Sequence, residues 1–274
     1  MADPGLLGPQ RRALILDLVK RSGAVRVADL VEQLGVSDMT IRRDLDALAR
    51  AGEVEKIYGG AVASGARAEE PGFEAKTHLA SGAKAALADA AAALVEPGSV
   101  VAVSAGTTAY AVASRLLQIR GLTVVTNSLP VADLLRDNAA DPAGTGPTLL
   151  LTGGTPTPSA ALVGPLADQA IRSLYVDLLI IGAHGVSERA GLTTPNLAEA
   201  QTNRALIAAA RRVVAVADHS KWGVVGLSAF AALTEIDCFV TDDGLDAPAR
   251  AVLEESVGRL IVAGSPSDRP DPAG

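Results

Sequence analysis

Only one cysteine, Cys238, occurs in 274 residues, so no disulfide can form within the chain. It stands beside apolar Ile236 and Phe239, and is expected in a core rather than at a reactive site. The three histidines, His78, His184 and His219, are scattered without metal-ligand spacing, so neither a metal site nor a cofactor is expected. Aromatic residues make up 3% of the chain, which leaves Ala, Val, Leu and Ile to build the core. Such small side chains favour helices packed closely on a buried parallel sheet. No window reaches the ~18 uninterrupted apolar residues of a membrane span. The opening stretch MADPGLLGPQRR holds no long apolar run and no basic stretch before one. The expected location is the cytoplasm.

What is present divides in two. A hydrophobic content of 49% supports one small domain and one sizeable core. The net charge of −7 is unevenly spread, since residues 1–62 hold nine of the 24 Lys and Arg and nine of the 31 Asp and Glu. The remaining 15 basic and 22 acidic residues make the C-terminal part acidic, while the N-terminal part is neutral. A neutral head with a basic face binds phosphates, and an acidic body discourages indiscriminate binding to DNA.

The segment 27–61, VADLVEQLGVSDMTIRRDLDALARAGEVEKIYGGA, has the order of a winged helix-turn-helix. Ser37 offers a side-chain oxygen to the amide of Thr40, which predicts a helix starting there. At about 100° per residue, Ile41, Leu45 and Leu48 share one stripe, and Met39, Arg43, Asp46 and Arg50 the opposite one. The first stripe is expected to pack on Leu30, Val31 and Leu34 and on Ile15, Leu18 and Val19. The second is free to enter a major groove. There Arg42 and Arg43 would take base edges or phosphates, Thr40 and the helix N-terminus a phosphate, and Asp38 or Met39 would lie near the bases. The wing, 53–61, would set Lys56 and Tyr58 along the neighbouring backbone. The bland alternative is a solvated charged face.

Beyond a linker at 63–80 the hydrophobic period changes. Helices are predicted at 83–95, 108–117, 129–138, 165–174 and 198–210. Strands are predicted at 99–103, 122–126, 148–151, 176–181, 212–216 and 238–241. This alternation means an α/β domain over 81–262 around a mostly parallel sheet. The stretch 139–147 reads as a surface loop, and 1–8 and 263–274 as disordered ends. In such a sheet ligands gather at the C-terminal strand ends. The loop of Ser104, Gly106, Thr107 and Thr108 follows one strand and opens a helix, a combination of amides and hydroxyls suited to a phosphate. Thr126 and Asn127, Gly153 and Gly154, and Gly182 and His184 occupy the next strand ends, and all are expected to converge on one crevice. Asp218 and Lys221 would reach the same edge, Lys221 to neutralise a phosphate and Asp218 to hold a sugar hydroxyl, unless the two simply form a local ion pair.

The VS-x-x-TIRRDL stretch with its GGA ending resembles the DeoR family of bacterial transcriptional regulators. The loops S-A-G-T-T, T-N-S, T-G-G, G-x-x-G-V and A-D-H-S-K stand in that family's order, so the resemblance covers about residues 9–262. It implies a C-terminal domain similar to sugar-phosphate isomerases that senses a phosphorylated sugar and thereby changes DNA affinity. It also implies a homo-oligomer on double-stranded operator DNA, with a repressor's role and no turnover. The family commonly has Arg and His at Lys56 and Tyr58, Asp at Ser104 and Lys at Asn203. Glu199 and Arg204 lie in the same stretch as Asn203, and Arg204 is a candidate for the missing positive charge. Two other functions stay open: a sugar-phosphate isomerase or deaminase with Glu199 or Asp218 as base, and a DNA-binding protein with no ligand.

Overall fold

Apolar stripes at helical spacing and β-branched runs of four or five residues take their expected forms in a computed structural model, which describes residues 8–22, 24–57, 60–63, 73, 80–138 and 146–264. Tyr58, His78 and most of the expected linker, surface loop and terminal tails lie outside the described residues. Gly8 opens the first helix and Ala263 closes the last strand, one residue beyond the expected domain limits. Two compact units result, Met1–Pro71 and Gly72–Gly274.

The first unit runs α1 (Gly8–Ser22), β1 (Ala24–Arg26), α2 (Val27–Leu34), α3 (Asp38–Arg50), β2 (Val54–Ile57) and β3 (Gly60–Ala63). Gly35, at φ +63°, makes the turn between α2 and α3, a backbone that side chains disfavour. Its amide closes α2 by donating to the Val31 carbonyl at 3.0 Å. Ile41, Leu45 and Leu48 are buried against Ile15, Val19 and Leu30, with Leu18, Val31 and Leu34 packed around them. The apolar stripe read from the sequence is therefore the core face. Val54 pairs with Ala63 and Ile57 with Gly60 in an antiparallel hairpin, the wing, and β1 completes a sheet of order β1-β3-β2.

The second unit begins with α4 (Ser81–Ala92), β4 (Val100–Val103), α5 (Thr107–Leu116), β5 (Thr123–Thr126), α6 (Leu129–Asn138) and β6 (Thr148–Leu151). A short hairpin, β7 (Thr155–Pro156) with β8 (Leu162–Val163), then leads to α7 (Pro165–Arg172) and β9 (Leu178–Gly182). After it come β10 (Gly185–Ser187), β11 (Gly191–Thr194), α8 (Leu197–Ala209), β12 (Val213–Val216) and β13 (Ser228–Ala231). The chain finishes with β14 (Cys238–Asp242), α9 (Ala247–Ser256) and β15 (Leu260–Ala263).

Seven strands form one parallel sheet of order β15-β14-β12-β9-β4-β5-β6. Successive strand residues point to opposite faces, and both faces are covered. Val101, Val103, Ile180, Val214 and Val240 pack with α4, α5 and α6; Ala102, Leu179, Ile181, Ala215 and Phe239 pack in a separate cluster with α7, α8 and α9. Cys238 is buried among the former, and burial pushes its thiol pKa up. β4, β5 and β6 spread one way and β9, β12, β14 and β15 the other, so strand order reverses between β4 and β9. Ligands of open parallel sheets bind at the C-terminal end of such a switch point.

Candidate nucleic-acid interface and effector crevice

Ser37 caps α3 as its sequence position predicts, its hydroxyl accepting from the Thr40 amide at 3.3 Å and lying 2.9 Å from the Thr40 hydroxyl. Within the exposed first turn, Arg42 Nε donates to Asp38 Oδ1 at 2.5 Å, an ion pair one turn apart. Arg43 is exposed and makes no hydrogen bond or ion pair among the described residues. Met39 is 74% exposed on the same side. The stripe thus presents one uncommitted guanidinium, one pre-oriented guanidinium and one apolar tip. That set can meet guanine edges, phosphates and a thymine methyl. In the wing, Lys56 pairs through its backbone with Ala61.

One residue of α3 escaped the sequence reading. Asp44 is buried, and its carboxylate accepts from Arg11 Nε at 2.5 Å and from Arg12 at 3.4 Å. The pair ties α1 to the middle of α3. An acidic residue bordering an apolar stripe, with a double arginine in the preceding helix, was the available signal.

In the second unit, β6, β5, β4, β9 and β12 are adjacent and parallel, so the loops that leave their C-terminal ends share one edge. Ser104, Asn127, Thr152 to Gly154, Gly182 and Asp218 all stand there. Their side chains do different things. Ser104 is buried at the switch point, where its amide donates to the Ile180 carbonyl at 2.9 Å and its hydroxyl accepts from the Gly182 amide at 3.2 Å. Thr126 donates to the Val103 carbonyl at 2.7 Å, and Asn127 bridges the Ala105 amide at 3.2 Å and the Leu162 carbonyl at 3.1 Å. These groups brace the loops.

Gly106 opens α5 without a side-chain cap, and the first bonded amide of that helix is Tyr110, so the amides before it face an open helix N-terminus. The Thr108 side chain, buried at the second helical position, has no hydrogen-bond partner among the described residues. Gly154 has φ +123°, and a Cβ there would lie 2.6 Å from the Val163 carbonyl. Gly153 beside it has φ +72°. Asp218 is buried and caps a 3₁₀ turn, accepting from the Ser220 amide at 3.0 Å, while half-buried Lys221 makes no ion pair among the described residues. The local Asp218–Lys221 pair considered from sequence does not form.

Glu199 sits in the first turn of α8, whose cap Asn196 accepts from the Ala198 amide at 2.9 Å and the Glu199 amide at 3.2 Å. Its buried carboxylate accepts from Thr157 at 2.7 Å, from Thr194 at 3.2 Å and from the Ser159 hydroxyl. Those three hydroxyls were not singled out from sequence, although the run TPTPS is rich in them. The network clamps the β7–β8 hairpin onto α8. The His184 amide donates to the Thr193 carbonyl at 3.1 Å. Arg204 lies elsewhere: its guanidinium donates to the Ala229 carbonyl and borders a groove of about 500 Å³ with Glu188, Arg189, Phe230 and Glu235. It is not brought together with the strand-end loops.

His219 Nδ1 lies 2.5 Å from Asp242 Oδ2, and its amide donates to Asp242 Oδ1 at 2.6 Å. Burial pushes the Asp242 carboxyl up, but the His219 bonds outweigh it and hold the pKa below the usual carboxylate value. This histidine is thus engaged at the end of β14. No three His, Cys, Asp or Glu side chains cluster as metal ligands among the described residues. No described helix is long and apolar enough to cross a membrane.

A helix-turn-helix head with a wing, carried with a parallel α/β unit whose strand order reverses between β4 and β9, defines a two-unit type of DNA-binding transcription regulator. Residues 11–66 match the DeoR-like helix-turn-helix domain and residues 80–243 the DeoR C-terminal sensor domain. The chain belongs to the DeoR family of transcriptional regulators. It is 39% identical over 92% of its length to the HTH-type transcriptional regulator YgbI of Escherichia coli K12, covering 97% of that protein. It is 32% identical over 92% of its length to the transcriptional repressor AccR of Agrobacterium fabrum, covering 96%. Among solved structures, ribose 5-phosphate isomerase A of Methanocaldococcus jannaschii is similar over 51% of this chain and 53% of that one, at 18% identity and a TM-score of 0.36.

Proposed function

We propose that this regulator is a cytoplasmic repressor of sugar or related metabolic genes, relieved or modulated by a phosphorylated sugar bound at the strand-end crevice. Residues 9–62 read DNA, 63–80 link, and 81–262 sense the effector. Two or more copies place their recognition helices in successive major grooves. Arg42, Arg43, Thr40, Asp38, Met39 and Ser37 line the DNA face of α3, with Lys56 and Tyr58 on the wing.

The observation that carries the sensing half is the uncapped start of α5 beside the switch point, with Lys221 uncommitted at the same sheet edge. Amides and an ammonium suit a phosphate, and Asp218 and Glu199 suit sugar hydroxyls. The sensor reading is favoured over catalysis by Ser104: a hydroxyl already engaged with Gly182 stands at the switch point where an isomerase-type mechanism needs a carboxylate base. The name of the repressor AccR supports the direction of control.

Effector control requires a differential affinity for two arrangements of the protein, and a coupling of ~1–3 kcal/mol changes operator affinity several-fold to a hundredfold. Titrating promoter DNA with the full chain, alone and with a panel of sugar phosphates, tests this. At least one sugar phosphate is expected to shift the operator affinity. Identical affinity throughout the panel removes the sensor. Proton exchange with solvent at a useful rate on any of the sugar phosphates would instead make it an enzyme.

A further inference from the structure

The start of α3 is the positive end of a helix dipole, and Ser37, Met39, Arg42 and Arg43 stand exposed around it. Such a surface suits phosphates. One residue on it does not. Asp38, exposed in the first turn, puts a negative charge on the face that approaches DNA. A carboxylate there is repelled by the phosphate backbone, and so weakens binding to duplex of any sequence. The same carboxylate holds Arg42 by two bonds: Nε donates to Oδ1 at 2.5 Å and Nη2 to Oδ2 at 3.2 Å, with both side chains 57% exposed. Two parallel bonds fix the plane of a guanidinium, as one bond does not. Arg43, the next residue, has no such partner among the described residues. The mount itself is firm, because Ser37 caps the turn and Ile41, between the two elements of the pair and the core, is fully buried.

We infer that Asp38 is a positioning residue for sequence reading, which holds Arg42 so that its guanidinium meets one guanine of the operator at O6 and N7. The edge formed by Nε and Nη2 belongs to Asp38, so a base is met by the Nη1–Nη2 end of the fork. That end carries donors only. Guanine presents two acceptors side by side in the major groove, whereas adenine sets an amino donor beside N7 and cytosine offers an amino donor. A fork held in one plane therefore separates guanine from the other bases, and a fork free to turn also accepts phosphates. Asp38 thus lowers affinity for duplex in general and raises discrimination at one base pair. The inference deepens the reading of α3 as the helix in the major groove, and rests on it.

The test titrates promoter and random duplex, at one ionic strength, with the full chain as wild type, Asp38→Ala, Asp38→Asn and Arg42→Ala. Asp38→Ala is expected to bind random duplex about threefold more tightly, because one repulsive charge is gone. Its preference for promoter over random duplex is expected to fall about tenfold. Asp38→Asn keeps the shape and one acceptor, and is expected to lie between Asp38→Ala and wild type. These opposite signs separate positioning from mere support of the helix, since a pair that only stabilises α3 changes both affinities together or neither.

The base is identified by replacing the promoter guanines one at a time with 7-deazaguanine, which lacks only the N7 acceptor. Wild type is expected to lose about fivefold in affinity at one guanine of each recognition site, Asp38→Ala less, and Arg42→Ala nothing. Promoter affinity unchanged in Arg42→Ala takes that side chain off the DNA, so the reading of α3 fails and the inference with it. Weaker promoter binding by Arg42→Ala, with an unaltered promoter preference in both Asp38 variants, overturns the inference and leaves the helix in the groove. A wild type indifferent to 7-deazaguanine at every position overturns it as well.

Discussion

Asp44 holds Arg11 across the interface between α3 and α1, Nε to Oδ2 at 2.5 Å, with side chains 5% and 13% exposed. The recognition helix is therefore pinned by a charge pair as well as by its apolar stripe. Removing one partner of a buried pair leaves the other desolvated and uncompensated, a loss of about 3–5 kcal/mol. Asp44→Ala should lower the melting temperature of the first unit in calorimetry. The exposed pair Arg42–Asp38 should behave differently: Asp38→Ala should change stability by less than about 1 kcal/mol.

Arg43 is expected to matter for DNA and not for folding. Because it is exposed without a partner among the described residues, Arg43→Ala should leave the melting curve in place. Operator affinity should fall by ~1–3 kcal/mol if it reads a base edge, with relaxed discrimination at one position, as fluorescence anisotropy on operator variants would report. A uniform loss with a salt slope shallower by about one unit would instead assign it to a phosphate.

Lys221 offers the matching test in the crevice. Lys221→Ala should reduce the stabilisation that a bound sugar phosphate gives in a thermal-shift assay, since a ligand raises the melting temperature only by its affinity for the folded state. DNA affinity without effector should not change. An unaltered thermal shift would take Lys221 out of the pocket.

Acid should weaken the second unit through Asp242. Its folded-state pKa lies below the unfolded value of about 3.9, so the folded protein binds fewer protons and the pair with His219 contributes stability above that pH. That contribution is lost as pH falls through the folded-state pKa. Denaturant unfolding from pH 6 down to about pH 2.5 should show a steeper decline for wild type than for Asp242→Asn.

The helix-turn-helix was legible because cap, turn and apolar stripe agreed: Ser37, Gly35 and the Ile41, Leu45, Leu48 series each did what its chemistry dictates. The parallel strands were legible as apolar runs such as 178–181, buried on both faces. β10, β11 and β13 were not, since they are short and rich in Gly, Ser, Thr and Ala, and β13 reaches β11 from far along the chain. α9 and β15 were also missed. In the candidate site, the strand-end positions of the loops were foreseen, but not the difference between side chains left open at the strand ends and those that brace a loop. Thr126 and Asn127 spend their polar atoms on neighbouring backbone, and Arg204 turns to Ala229. Nothing in sequence spacing separates those fates, because each depends on an acceptor brought in by another strand.

The most direct test of the account is equilibrium binding of the purified full chain to its own promoter and to random duplex of equal length at physiological ionic strength. A helix that presents Arg43, Arg42 and Met39 to base edges predicts tighter promoter binding by a factor of about 10³ or more. Equal affinity for the two duplexes would contradict it.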